Sequence, residues 1–434
     1  MISPYITGDY VTGAGFYGRQ NLLREITAGR CRAMFVLGTR QIGKTSLLRQ
    51  VETLVPAVFL DLELASERLE ELIGWARREV RLKRRNYPWL PPEEDLPTGD
   101  LFDLLAALDE QALEAGQRLW VLMDEAEIWV HFARANPEVL HRLRGTVQNC
   151  SALRVVLAAA KRLSEANMLT GKMASPFLSG FAVRYLGPLS QRDGAALLRQ
   201  DQSPTPVAVE NGLLSHLLNL AGGHPLLLQL LGERLYEDGQ LRPPTEGDLV
   251  GVLDQVINTG VFPNDFTALA DPERTILHAL FPGQPLPAGI NPVYLHGLTA
   301  LGILRREGDV YAIGNAFFAR WLREQADWAV KPEISAEGTL AVYTQAGLDQ
   351  FYSIYETGLT QLLERLGQDH PRYPEALVYQ QRLDENIARS RRYGNTETCK
   401  ADRSEIVDQL NALALFTLGV SFNELCGQVT PIAR

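Results

Sequence analysis

Gly38, Gly43, Lys44 and Thr45 stand in the spacing Gly-x4-Gly-Lys-Thr, and that spacing carries a definite chemistry. Glycines let backbone N–H groups close around an anion, so Thr39, Arg40, Gln41 and Ile42 between them can present amides to phosphate oxygens. Lys44 is placed to neutralise the β- and γ-phosphates of a nucleoside triphosphate. Thr45 can offer its hydroxyl to Mg2+, with Ser46 next in line. A second constellation lies about 80 residues further on, where four apolar residues, Trp120 to Met123, run into Asp124 and Glu125. A buried strand that ends in two carboxylates delivers them to the edge of a sheet where ligands sit. Asp124 is the candidate Mg2+ ligand, and Glu125 the candidate general base that polarises water for attack on the terminal phosphate. The expected cofactors are ATP and Mg2+, and the expected activity is hydrolysis of the nucleotide.

These groups need elements to hold them, and the apolar pattern supplies candidates. Ala33 to Leu37 is a continuous apolar run that reads as a buried parallel strand, and a helical pattern starts just after Lys44 with Leu47, Leu48, Val51 and Leu54. Strand, glycine-bounded loop and helix in that order are the context in which the loop binds phosphate. Five such runs, at 33–37, 57–62, 119–123, 154–159 and 182–186, alternate with helical stretches. They predict an α/β three-layer sandwich on a parallel sheet. A helix capped by Ser190 follows the last strand, and residues 207–241 read as helical throughout.

Further along, helices over 272–280 and 292–301 precede a hairpin that turns at Glu307-Gly308-Asp309. From 339 to 434 the pattern is wholly helical, with no nucleophile, metal-ligand or second nucleotide spacing. The helix from Glu67 to Lys83 ends in a basic cluster, Arg77, Arg78, Arg81, Lys83, Arg84 and Arg85. Glu93, Glu94 and Asp95 follow at once, so a solvated helix end with neutralising acids is the expectation.

With 434 residues the chain is long enough for two or three domains. Its net charge of −10 argues against nucleic acid or an anionic membrane as partner. The 4 cysteines are scattered without a paired motif, which argues against a disulfide framework and a zinc site and fits a reducing cytoplasm. The first residues show no basic region followed by an apolar core, and no run of apolar residues is long enough to span a bilayer. A cytoplasmic protein with no membrane partner is the expectation.

The chain resembles the STAND-type signalling ATPases of the AAA+ branch, and within them the archaeal-ATPase-like group. The resemblance rests on the segment Phe16-Tyr-Gly-Arg19, the phosphate loop, the Asp124-Glu125 pair (a Walker B motif) and Gly223-His-Pro225 ahead of an apolar helix. It implies strand order 5-1-4-3-2 and an ATPase core over 1–200. A helical lid over 201–262, a winged-helix domain over 263–328 and an all-helical adaptor over 339–434 would follow. It also implies that Phe16, Gly18 and Arg19 border the adenine, that Pro225 lies against it, and that the end of the 154–159 strand carries a γ-phosphate sensor. Ala159 and Ala160 depart from that pattern, which leaves Arg162 or Lys161 as the substitute. By the same resemblance nucleotide state would control domain closure and homo-oligomerisation, and 339–434 would recruit a separate protein effector, as in bacterial conflict signalling. A DNA-binding AAA+ ATPase of replication-initiator or transposition-helper type shares the core and the winged helix. The helix over 291–300 contains no Lys or Arg, so phosphate contacts would have to come from Arg305 and Arg306, and DNA is an unlikely partner.

Overall fold

A computed structural model describes residues 3–65, 69–136, 138–160, 180–280, 286, 290, 292–308, 310–324, 355, 358–367, 370–393, 397–418, 420 and 422–427. The chain forms two compact units, Met1–Val330 and Lys331–Arg434.

In the first unit five strands are built from the apolar runs: β1 (Ala33–Leu37), β2 (Ala57–Asp61), β3 (Leu119–Asp124), β4 (Leu153–Ala159) and β5 (Ala182–Tyr185). They pair in parallel in the order β2-β3-β4-β1-β5, the order implied by the resemblance. Alternation along each strand divides the side chains between two layers. Phe35, Val58, Val121 and Val155 enter one apolar cluster, whereas Val36, Phe59, Leu122 and Val156 enter another. Helices α1 (Gln20–Thr27) and α2 (Lys44–Glu52) supply the second layer, while α3 (Leu69–Lys83), α4 (Leu101–Glu114), α5 (Ile128–Ala135) and α6 (Glu138–Asn149) cover the first. Burial of both faces is why these strands are continuously apolar rather than alternating.

The register then aligns the strand ends. Leu37 lies opposite Ala159, and Asp61 opposite Asp124. The basic end of α3 is neutralised as expected: Arg81 pairs with Glu93 at 3.2 Å, Arg77 donates to the Glu93 carbonyl, and Lys83 pairs with Glu52 at 2.6 Å.

After β5 come α7 (Gln191–Arg199), capped by the Ser190 hydroxyl, then α8 (Asn211–Ala221) and α9 (Pro225–Leu235). The expectation of helix through residue 241 needs correction. Tyr236–Glu237 and Gln240–Leu241 form a short antiparallel pair, β6 and β7. Asp238 and Gly239 between them both have positive φ, +48° and +87°, the backbone of a two-residue hairpin turn that a helix cannot continue through. Helices α10 (Glu246–Asn258), α11 (Val261–Thr267), α12 (Asp271–Leu280) and α13 (Pro292–Ala300) follow, then the hairpin β8 (Leu304–Glu307) and β9 (Val310–Ile313), and α14 (Ala316–Glu324). One apolar cluster runs from Leu189 to Leu322 through all of them and takes in Tyr5 and Tyr17 from the N-terminal segment.

The second unit is helical over 358–366 and in α15 (Tyr373–Tyr393), α16 (Glu397–Leu418) and α17 (Phe422–Gly427). Leu362, Leu383, Leu410 and Phe422 share its core. Inside it, Arg403 donates to the buried Asn386 side chain at 3.1 Å. The apolar stripe read over 340–352 lies outside the described residues.

Candidate functional site

The glycine-bounded loop leaves β1 at Gly38 and enters α2 at Lys44. The Gly38 amide donates to the Ala159 carbonyl at 3.2 Å, which ties the loop to the end of the neighbouring strand. A side chain at Gly38 would meet the Leu186 carbonyl oxygen at 2.9 Å, so the close approach admits glycine alone. Gln41 and Gly43 have φ of +54° and +98°, the left-handed turns that curl the chain over the start of α2. Lys44 is buried at 7% exposure, and its ammonium donates to the loop's own carbonyls, Gly38 at 3.3 Å and Thr39 at 3.0 Å. Ser46 faces the other way and accepts a hydrogen bond from the Val11 amide at 3.1 Å. Ile42 is packed into the core at 1% exposure, so it anchors the loop.

Asp124 ends β3 two strands away from the loop, with β4 between them. The Thr45 hydroxyl bonds its carboxylate, while Oδ1 is buried without a partner. Burial raises the Asp124 carboxyl above its ordinary value, offset by the Thr45 hydroxyl and the nearby Lys44 charge. Thr39 Oγ1 is a second buried polar atom without a partner. A buried carboxylate oxygen and hydroxyls beside a lysine-bearing amide loop fit a divalent cation bound to phosphate.

Glu125 follows with φ +50°, a conformation that β-branched residues avoid and that turns its side chain out of the strand. Its carboxyl is pushed up to about 7 by burial and by Glu127, with Lys44 opposing and Asp124 adding to the rise. Glu127 in turn accepts from the Ala160 amide at 3.2 Å. The alanine pair therefore contributes main-chain groups, Ala159 O to the loop and Ala160 N to Glu127. Neither methyl group can sense a phosphate. Arg162 and Lys161, the substitute sensors, lie outside the described residues.

The sign of the Glu125 shift has a consequence for stability. A carboxyl whose folded value lies above its ordinary 4.5 holds its proton more tightly when folded. Its contribution is present at low pH and lost as pH rises through about 7. Glu125→Gln is expected to match the wild type in melting temperature at pH 5 and to exceed it by about 2–4 °C at pH 8, read by calorimetry without nucleotide. An equal shift at both values would show that burial does not perturb this carboxyl.

Residues far along the chain complete the surroundings. Arg19, with φ +66°, donates to the Pro188 carbonyl at 3.1 Å and to the Ile42 carbonyl of the loop at 3.4 Å. Burial lowers its guanidinium to about 10, with Asp193 opposing. Phe16 is buried in the cluster that holds Ile42 and Leu47, and Gly18 lies against Asp193. Pro225 opens α9 at its first turn, where its missing N–H costs nothing. His224, just before it, is 7% exposed, and neither ring nitrogen has a hydrogen-bond partner. Burial and the nearby Arg19 and Lys44 charges push its imidazole down to about 4, with the Arg40 main chain opposing. Asp265 in α11 reaches the loop directly: its Oδ1 accepts from the Arg40 amide at 2.9 Å.

The loop, Asp124 and Glu125 are thus brought together, and Arg19, which the resemblance placed beside the base, reaches the loop at the Ile42 carbonyl. His224, Asp265, Glu127 and Asp61 also belong to the neighbourhood, and sequence reasoning assigned them no part. His224 carried a signal in its place before Pro225. Asp61 carried one as the acid at the end of an apolar strand, and its charge adds to the rise at Asp124. Asp265 carried none.

No protein-family model matches the chain, and no curated protein matches it. Among solved structures, a Walker-type ATPase of Pyrococcus abyssi superposes with a TM-score of 0.53 at 18% identity, covering 71% of this chain and 96% of its own. The ORC2 protein of Aeropyrum pernix, in ADPNP and ADP complexes, gives a TM-score of 0.38 at 17% identity over 70% of this chain and 91% of its own. The RuvB Holliday junction branch migration motor of Thermotoga maritima gives 0.32 at 14% identity over 69% and 92%. The last two scores are too low to carry an argument. The fold of the first unit is thus similar to that of the Walker-type ATPase, and in this chain it consists of a five-stranded parallel sheet with the glycine-bounded loop at the end of β1.

Proposed function

We propose that this chain is an ATP-binding and ATP-hydrolysing signalling switch of the STAND type. In this reading Thr39 to Thr45 hold the phosphates, while Ser46, turned toward the Val11 amide, does not. Thr45 and Asp124 hold Mg2+, and Glu125 orients and deprotonates the attacking water. Phe16, Gly18, Arg19 and Pro225 border the base. Bound Mg2+ supplies charge neutralisation on the phosphates. Lys44 exchanges its bonds to the loop carbonyls for phosphate oxygens, and the neighbouring Glu127 charge adds to burial in raising the proton affinity of Glu125.

The observation that carries the switch is the closure of the loop by distant elements. Asp265 of α11 bonds the Arg40 amide. Gly302, ahead of the hairpin, packs so closely on Pro188 that a Cβ there would lie 2.2 Å from its ring, and Pro188 accepts from Arg19. Residues 201–324, read as a helical lid followed by a winged helix, therefore rest on groups that themselves touch the loop. A change in phosphate occupancy is transmitted to them through packed, two-state contacts. The helical unit 339–434 is then the effector adaptor, and assembly into a homo-oligomer with ATP is the expected output.

Hydrogen exchange of the full chain with ADP and with a non-hydrolysable ATP analogue tests this. Protection across 211–324 is expected to differ between the two nucleotides, and identical patterns would sink the switch.

One observation favours a DNA-binding AAA+ ATPase instead: Arg305 and Arg306 stand exposed on β8. Both are engaged, Arg305 with Glu307 at 3.7 Å and Arg306 with the Gly308 carbonyl at 2.7 Å and the Tyr311 ring. Helix α13 beside them has no cation. Tight, salt-sensitive binding of duplex DNA in a low-salt anisotropy titration would reverse the preference.

A further inference from the structure

A phosphate loop offers backbone N–H groups to anions, and in this chain one of them already has an anion. The Asp265 carboxylate accepts from the Arg40 amide at 2.9 Å. It comes from α11, 225 positions from Arg40 in the sequence, and no other acid accepts from a backbone amide of the loop among the described residues. The Asp265 side chain is half-buried and Arg40 is exposed, and the positive groups around the contact are those a phosphate would use, Lys44 and Arg40. Those charges and the amide do not compensate its burial, which pushes the Asp265 carboxyl up to about 7. An acid kept at a site that burial opposes is held there by the fold around it.

We propose that Asp265 is a built-in occupant of the phosphate loop, an internal carboxylate that an incoming nucleoside triphosphate must displace. The inference rests on the nucleotide reading of the loop. A triphosphate brings several negative charges to the same amides and the same lysine, and a carboxylate left among them would repel its oxygens across a few ångströms of partly water-free space. Displacement is then required for tight binding, and α11 moves with it.

That helix is wired to the rest of its unit by aromatic packing. Phe262 lies 5.3 Å from the Phe318 ring and 6.2 Å from Trp321, and Phe266 meets Trp321 edge-on at 5.7 Å. Trp321 and Phe318 belong to α14, beyond the β8–β9 hairpin. Expelling Asp265 from the loop would therefore disturb the packing of the segment read as the winged helix. Nucleotide binding and the state of that segment become a single equilibrium, and the nucleotide affinity is lowered by the fraction of molecules in which Asp265 holds the loop.

The test compares Asp265→Asn, Asp265→Ala and Lys44→Ala with the wild type, using a fluorescent ATP analogue and Mg2+ and the full chain. Asp265→Asn keeps an acceptor for the Arg40 amide and removes the charge, so it carries the test even if the alanine variant melts early. Both Asp265 variants are expected to bind the analogue about tenfold more tightly than the wild type. A merely structural role for Asp265 predicts the opposite, because a loosened loop binds less well. Equal or weaker binding by Asp265→Asn, with clear binding by the wild type, overturns the inference alone. No binding by the wild type, beyond that of Lys44→Ala, removes the nucleotide reading and the inference with it.

Discussion

Lys44→Ala is expected to weaken ATP and ADP binding by about 100-fold or more, measured by titration with a fluorescent nucleotide and confirmed by calorimetry. The size follows from where the ammonium sits. Lys44 is buried between the loop and the start of α2, and its hydrogen bonds go to the Gly38 and Thr39 carbonyls. A buried cation spending its donors on neutral carbonyls gains far more from phosphate oxygens, since opposite charges in a site shielded from water attract strongly. Thr45 and Asp124 keep their own bond in this variant, so the fold around the site should survive. An unchanged melting temperature with lost binding is the signature sought. Retained micromolar binding would show that the nucleotide sits elsewhere.

Glu125→Gln should separate binding from turnover. Release of phosphate from ATP is expected to fall by about 100- to 10,000-fold, the range that general bases contribute, while nucleotide affinity holds or improves. Affinity improves because a carboxylate near the phosphates repels them, and glutamine does not. In the wild type, hydrolysis should climb with pH through about 7, where Glu125 loses its proton, and flatten above. The variant should lose that limb. Equal phosphate release from both proteins would leave a nucleotide-binding scaffold without turnover, and Glu125 would then be a strand-end acid shaped by Glu127 alone.

Much of this site could be read from the chain because its parts are short and local. Gly38 to Thr45 span eight consecutive residues, and the turns that shape them, Gln41 and Gly43 with positive φ, are local backbone geometry. Asp124 and Glu125 follow directly from an apolar strand whose burial on both faces its own composition demands. The sheet follows the same logic, whereas its strand order came from the resemblance. The helix read through residue 241 failed for an equally local reason: Asp238-Gly239 favours a tight turn, and the apolar spacing of the flanking residues outweighed that signal.

The remainder depends on contacts that no spacing encodes. Arg19 meets Ile42 and Pro188, His224 is buried beside Arg40, and Asp265 of α11 bonds the Arg40 amide. A hydrogen bond between residues 225 positions apart leaves no periodicity, and Asp265 sits in a seven-residue helix whose pattern says only that Val261 and Phe262 are buried. The chemistry of the loop, its glycines, its lysine and the two acids, was determined by residue type and order, because each acts through its own backbone or strand. Which acid meets the loop amide was decided by tertiary packing, because it depends on which distant carboxylate the folded chain brings within 2.9 Å of it.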